Sequence, residues 1–193
     1  MADDKHDQHQ FEDDPKPWRV LSSEYVAKKP WYTVRLEKVQ LPSGAVIPEY
    51  WVSEYRPWVN TVALTEDDQV VLIRQYRHGL GKVSFEIPAG TTDAEDTSLE
   101  SAARRELLEE TGYGGGRWSL LMTLSANPAL QNNLTYTFLA EGVTRLAAAA
   151  PEANEDIRVH LVPLAKIQPL IESEGFVQAL HVAPLMKLLL QRR

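Results

Sequence analysis

No cysteine occurs among the 193 residues, which excludes disulfide staples and every metal centre built on thiolates, structural zinc and iron–sulfur clusters included. A metal, if this chain holds one, is taken by oxygen or by histidine nitrogen. Runs of lysine and arginine are also missing. With a formal charge of −7 and a pI near 5.3, the chain has no cationic track to neutralise the phosphates of a nucleic acid. Apolar stretches all fall well short of the ~20 residues that a membrane-crossing helix needs. The start, MADDKHDQHQFEDDPK, carries no apolar segment behind a basic one and does not read as a secretory leader. These absences point to a cytoplasmic protein with neither nucleic acid nor membrane as a partner.

What is present suffices for one sizeable core, since 44% of the residues are hydrophobic. Residues 1–16 read as a disordered acidic leader, in which His6 and His9 are solvated rather than ligating. Residues 17–58 form a strand-rich subregion, and 59–193 the main domain. Alternating or β-rich runs predict strands at YTVRLEKV, EYWVSEY, WVNTVAL, VVLIRQYR and VSFEIPAG, and later at SLLMTL, LTYTFLAEG and IRVHLVPL. Helices are expected over about Ser98 to Thr111, in PLAKIQPLIESEG and in VQALHVAPLMKLLLQRR, with RLAAAAPEANED as a loop. The class is α/β.

The helix from about Ser98 carries the unusual chemistry. Thr97 followed by Glu100 fits a capping box, and Gly112 stands where a left-handed residue ends a helix. At 100° per residue, Leu99, Ala102, Ala103 and Leu107 define an apolar arc; Glu106 and Glu110 fall inside it and Glu109 lies at its edge. Like charges four residues apart cost roughly 0.2–0.5 kcal/mol even on a solvated face, and burial makes unpaired anions far more expensive. Arg105 reaches Glu109 at i+4, whereas Glu106 and Glu110 have no such partner within the helix. The counter-charge is either an arginine from elsewhere (Arg74, Arg77 or Arg158) or a hard divalent cation. Magnesium suits clustered carboxylates whose remaining positions are filled by substrate phosphates.

The surrounding EIPAGTTDAEDTSLESAARRELLEETGY, Glu86 to Tyr113, resembles a Nudix box with its preceding strand. That pattern is a glycine, five residues, a glutamate, seven residues, then Arg-Glu-aliphatic-X-Glu-Glu-X-Gly-aliphatic. Arg105 to Gly112 match, and Gly90 supplies the leading glycine. The interval from Gly90 to Arg105 is one residue longer than the pattern, so the first glutamate falls on Thr97 counted back or on Asp96 counted forward; Tyr113 takes the last aliphatic place. The resemblance implies a Nudix α/β/α sandwich with a mixed β-sheet, residues 59–193 being the hydrolase domain. It makes Glu106 and Glu110 the principal metal ligands, Glu109 a further one, and the Ala89 carbonyl a backbone ligand. Arg105 orients Glu109, and Glu86 is placed on the substrate side.

Beyond the box the chain is similar to the ADP-ribose pyrophosphatase branch. Pro128 stands sixteen residues past Gly112, a spacing associated with substrate binding there. NEDIRVHLVPL resembles the acidic loop that lowers a glutamate into the site, which makes Glu155 the candidate base or loop ligand, with Glu152 as its neighbour should the register differ. Arg74 and Arg77 lie on opposite faces of one strand; Arg77, near the strand end, is the candidate phosphate clamp. Trp31, rather than Trp51 or Trp58, is the candidate for stacking on a base, and His160 is a packed strand residue. The implied activity is Mg2+-dependent cleavage, with Mn2+ able to substitute, of a small-molecule nucleoside diphosphate, ADP-ribose to AMP and ribose 5-phosphate. Another nucleotide sugar such as GDP-mannose, or a non-catalytic nucleotide sensor, are the alternatives. Members of the branch exchange N-terminal segments, so a homodimer is expected.

Overall fold

A computed structural model describes residues 14–151 and 155–192; His6 and His9 of the leader, and Glu152, lie outside them. The chain forms two compact units, Met1–Glu54 and Tyr55–Arg193. No helix among the described residues is long and apolar enough to cross a membrane.

In the first unit β1 (Arg19–Lys29), β2 (Tyr32–Gln40) and β3 (Val46–Glu54) make an antiparallel sheet in chain order. Arg35 ties it together by ion pairs to Glu37, at 2.8 Å, and to Glu54. The first strand is absent from the sequence expectations for a physical reason. Its pairing with β2 slips between Val20 and Ser22 and again between Tyr25 and Ala27, and each bulge resets the alternation on which strand reading depends.

The second unit is built on β4 (Trp58–Leu64), β5 (Gln69–Arg77), β6 (Lys82–Glu86), β7 (Ala89–Thr91), α1 (Leu99–Thr111), β8 (Tyr113–Gly114), β9 (Arg117–Leu124), β10 (Thr135–Glu141), β11 (Thr144–Arg145), β12 (Arg158–Pro163), a short 3-10 turn, α2 (Ile167–Glu172) and α3 (Ala179–Gln191). The main sheet runs β12-β5-β4-β10-β9, with β6 added to β5 and β7 to β4. It is mixed, because β10 lies parallel to β4 while the other pairs are antiparallel. Its centre is β4, buried along nearly its whole length, and the two faces of that strand explain the layers. Val59 packs with Ala102, Ala103 and Phe138 under α1, and Ala63 with Leu107. The intervening Val62 and Leu64 pack with Ile167, Leu185 and Leu188 from α2 and α3. One helix on one side and two on the other make an α/β/α sandwich.

The sheet is split where the site lies. β4 and β5 pair only at Ala63–Val71 and Leu64–Val70; beyond that point β5 takes β6 as its neighbour and β4 takes β7. Ile87 and Pro88 bridge the gap, with the Pro88 carbonyl accepting from the Thr61 N–H at 2.9 Å.

At the start of α1 the structure corrects the sequence reading. The N-cap is Ser98, not Thr97. Ser98 Oγ accepts from the Ser101 N–H at 3.0 Å, and Ser101 Oγ accepts from the Ser98 N–H at 2.9 Å. Glu100 is drawn away by Arg104, which donates to it at 2.9 Å, so serine completes the box one residue later. At the other end Gly112 has φ 77°, and a Cβ there would collide with the Ala147 carbonyl. Ser98→Ala is expected to lower stability by about 1 kcal/mol, measured by denaturant unfolding, with Thr97→Ala nearly silent; a larger loss from Thr97→Ala would restore the original cap.

Candidate active site

In the first two turns of α1 Ala102 and Ala103 are small enough to let the helix backbone approach β4, where Thr61 Oγ1 donates to the Ala103 carbonyl at 3.4 Å. That approach carries Glu110 into the interior, where it is 2% exposed. Its Oε2 accepts the Ala89 N–H at 3.0 Å. One turn earlier, the Glu106 carboxylate lies directly against Gly90, so that a Cβ at Gly90 would occupy its atoms. A glycine is required here for close approach, not for backbone conformation.

These carboxylates are poorly compensated. Burial pushes Glu110 up to about 9 against the pull of the Ala89 N–H, with Glu106 and Glu155 adding repulsion. Burial also raises Glu106 to about 7 despite Arg105, with Glu109 and Glu155 opposing its charge. No basic residue stands in the last turn of α1, so Glu109 and Glu110 also face the negative end of the helix dipole. A segment following β11 folds back onto the same end: Leu146 and Ala147 N–H donate to the Gly112 carbonyl, and Ala150 N–H to that of Glu109. It leads towards Glu155, whose charge acts on Glu106, Glu110 and Arg77 together.

Two arginines bound the cluster. Arg105 reaches Glu106 and Glu109, each at 3.0 Å, and is held from behind by Asp96 at 3.1 Å and the Thr91 carbonyl at 2.9 Å. The hydrogen bond from Arg105 lowers the Asp96 pKa. Of the two alternatives for the altered half of the motif, it is therefore Asp96 that enters the network. Arg77 is gripped in a two-pronged pair by Glu86, at 2.8 and 2.6 Å. Glu86 is 2% exposed and both its oxygens are taken by Arg77, so it stands behind the guanidinium. Arg77 itself remains half exposed.

Elsewhere the expected residues scatter. Arg74 lies on the other face of β5, stacked over Phe85 at 4.9 Å, and Arg158 pairs with Asp156; neither supplies the missing counter-charge. His160 sets its ring edge-on to Phe85. Pro128 is exposed in a turn whose Asn127 carbonyl accepts from Leu130 and Gln131. Trp31 belongs to the first unit, 76% exposed at the turn between β1 and β2.

Residues 54–180 match the NUDIX domain, and residues 18–53 the nucleoside diphosphate sugar hydrolase N-terminal domain. The chain belongs to the NUDIX family. It is 26% identical over 179 residues to the ADP-ribose pyrophosphatase of Mycobacterium tuberculosis (strain ATCC 25618 / H37Rv), covering 91% of this chain and 82% of that protein. With the ADP compounds hydrolase NudE of Escherichia coli (strain K12) it shares 28% over 169 residues, 86% and 88% of the two chains. A crystal structure of an ADP compounds hydrolase matches with a TM-score of 0.80 at 25% identity, covering 91% of this chain and 94% of the other.

NUDIX hydrolases generally require a divalent metal ion, and the donor set fits one. Glu106 and Glu110 offer oxygen only, are withdrawn from water, and lack sufficient cationic partners to be stable as anions. Among the described residues no three acidic or histidine side chains converge into a finished cage; Arg105 draws Glu106 and Glu109 to itself.

Two outcomes follow from this geometry. Gly90→Ala is expected to displace the Glu106 carboxylate and reduce turnover at least about 10²-fold, a loss of nearly 3 kcal/mol in transition-state stabilisation, while circular dichroism stays native; near-parent turnover would show that Glu106 works from another position. For Glu110 the sign is fixed by a folded pKa of about 9 above the ordinary 4.5. Below about pH 4.5 the group is protonated in both states and costs nothing. As pH rises towards 9 only the unfolded chain ionises freely, so metal-free protein loses stability at up to about 1.4 kcal/mol per pH unit. Glu110→Gln keeps an acceptor for Ala89 and is expected to raise the melting temperature of chelator-treated protein at pH 8 and flatten its pH dependence. A lower melting temperature for that variant would show that the buried carboxylate is stabilising after all.

Proposed function

We propose that the chain hydrolyses ADP-ribose to AMP and ribose 5-phosphate in the cytoplasm, with Mg2+ as its cation and Mn2+ able to substitute, and that it acts as a homodimer. The observation that carries this reading is the pair of buried, mutually repelling glutamates, Glu106 and Glu110, within electrostatic reach of Arg77 and Glu155. Similarity to relatives named ADP-ribose pyrophosphatase and ADP compounds hydrolase supports the choice of substrate. Exposed Trp18, Val20, Tyr25, Val26, Trp31 and Trp51 on the first unit support association through an apolar surface.

In this reading Arg77, pre-set by Glu86, binds the diphosphate with its exposed edge. Glu106 and Glu110, with Glu109, Glu155 and the Ala89 carbonyl, would hold the cation. When bound, the cation offsets charge on the phosphoryl oxygens and makes water a stronger nucleophile. Glu155 accepts the proton of the attacking water as its oxygen bonds to one phosphorus and the bond from that phosphorus to the bridging oxygen breaks. Arg105, backed by Asp96, keeps Glu109 from swinging into solvent.

A panel of nucleoside diphosphate compounds that includes ADP-ribose and GDP-mannose, assayed with Mg2+ and followed by product chromatography, tests the substrate. AMP and ribose 5-phosphate are the expected products, and faster turnover of GDP-mannose would transfer the reading to another nucleotide sugar. Binding without turnover would make the chain a sensor. Glu155→Gln is expected to lower kcat for ADP-ribose at least about 10²-fold with KM changing much less, and Glu152→Gln to be milder. If Glu155→Gln retained the parent kcat, the base would have to be sought among the helix glutamates.

A further inference from the structure

We propose that His181 is a positioning residue for the diphosphate clamp: from the far side of the sheet it supports Glu86, and through Glu86 it fixes Arg77. The clamp's role rests on the function proposed above; the contact itself does not.

Three features of the fold bring His181 to this place. The divergence of β4 and β5 leaves the sheet open beside Glu86. The segment before α3 is pinned along β6, where Phe85 N–H donates to the Gly175 carbonyl at 2.9 Å and Phe85 pairs with Phe176. The first turn of α3 is then hooked to β4 by Asn60, whose buried amide donates to the Leu180 carbonyl at 3.1 Å. His181 follows directly and is 5% exposed.

Its Nδ1 is buried without a hydrogen-bond partner and stands 3.8 Å from Glu86 Oε2. A buried nitrogen in that state costs about 1–3 kcal/mol, and a shift of under about 1 Å would bring it to hydrogen-bond distance. Burial holds the imidazole pKa down to about 4 although the charge of Glu86 pulls the other way, so the ring is neutral and donates from one nitrogen only. Donation from Nδ1 is the arrangement that a carboxylate neighbour requires. Gln75 Nε2 approaches the same Glu86 oxygen at 3.4 Å. His181, Gln75 and the Arg77 Nη2 thus converge on Glu86 Oε2, and the carboxylate cannot rotate without losing one of them. The chain His181, Glu86, Arg77 links the α3 layer to the face that carries Glu110 and Glu155, whose charges act on Arg77.

The test has a ligand-free arm and a kinetic arm. In unaltered, ligand-free protein, nitrogen-15 NMR of the histidines is expected to show His181 as the Nδ1–H tautomer; an Nε2–H tautomer would overturn the proposal. The Arg77 Nε–H signal, slow to exchange in the parent, is expected to exchange at least about tenfold faster in His181→Leu, and to be retained in His181→Asn, whose amide replaces the Nδ1 donor. Unchanged exchange in His181→Leu would overturn it as well. With ADP-ribose and Mg2+, His181→Leu is expected to raise KM at least about fivefold, the size of an ordinary net hydrogen bond, with kcat within about twofold. It should add nothing in an Arg77→Ala background. The same multiplicative loss on that background, or a fall in kcat at constant KM, would mean that His181 acts by another route. If the parent fails to hydrolyse ADP-ribose, the substrate reading falls while the tautomer and exchange measurements still decide this one.

Discussion

The site depends on the burial of Glu110 against a single backbone N–H. To place a carboxylate at 2% exposure beside Ala89, the helix must come close, and so its inner face carries alanine at 102 and 103. Gly90 must lack a side chain, because Glu106 follows one turn behind on the same face. The helix must also end sharply at Gly112, since its last turn already holds two glutamates and no base. Each of these local choices gives up stability that ordinary packing would have kept. Their convergence on one spot is what separates a working cluster from a solvated acidic face.

The arginines solve a second problem by one device used twice. A guanidinium close to several carboxylates would collapse onto whichever it met first. Arg105 is instead anchored from behind by Asp96 and the Thr91 carbonyl, and Arg77 by a buried Glu86 that takes two of its nitrogens. Both retain donors for the front of the site while their planes are fixed.

Much of the sandwich was legible, and the exceptions share a cause. The strands from β2 to β6 announce themselves as alternating or β-rich runs bounded by turn residues. β1 is concealed by two bulges, and β8 and β11 are two residues each, too short to show any period. The helix start was misplaced by one residue because Thr97 and Ser98 are equally good caps; Arg104, by engaging Glu100, removes the partner that Thr97 needed. At the site, Glu106 and Glu110 could be singled out from spacing alone, since the helix fixes their direction. Partners brought by topology could not. The link between Arg77 and Glu86 depends on strand register, and His181 arrives from a helix about a hundred residues downstream through a gap in the sheet. Its only sequence signal is a lone histidine in the apolar run VQALHVAPL.

The return of Leu146 and Ala147 to the Gly112 carbonyl closes a circuit. The chain leaves the end of α1 at Gly112, builds β8 to β11, and comes back to the same peptide before setting out for Glu155. The geometry of the carboxylates is therefore insulated from the length of the connections inside that excursion. The turn between β9 and β10, residues 125–134, lies within that excursion and is tied independently to the start of β4, through Asn132 to Tyr55, Asn133 to Arg56 and Leu134 to Trp58.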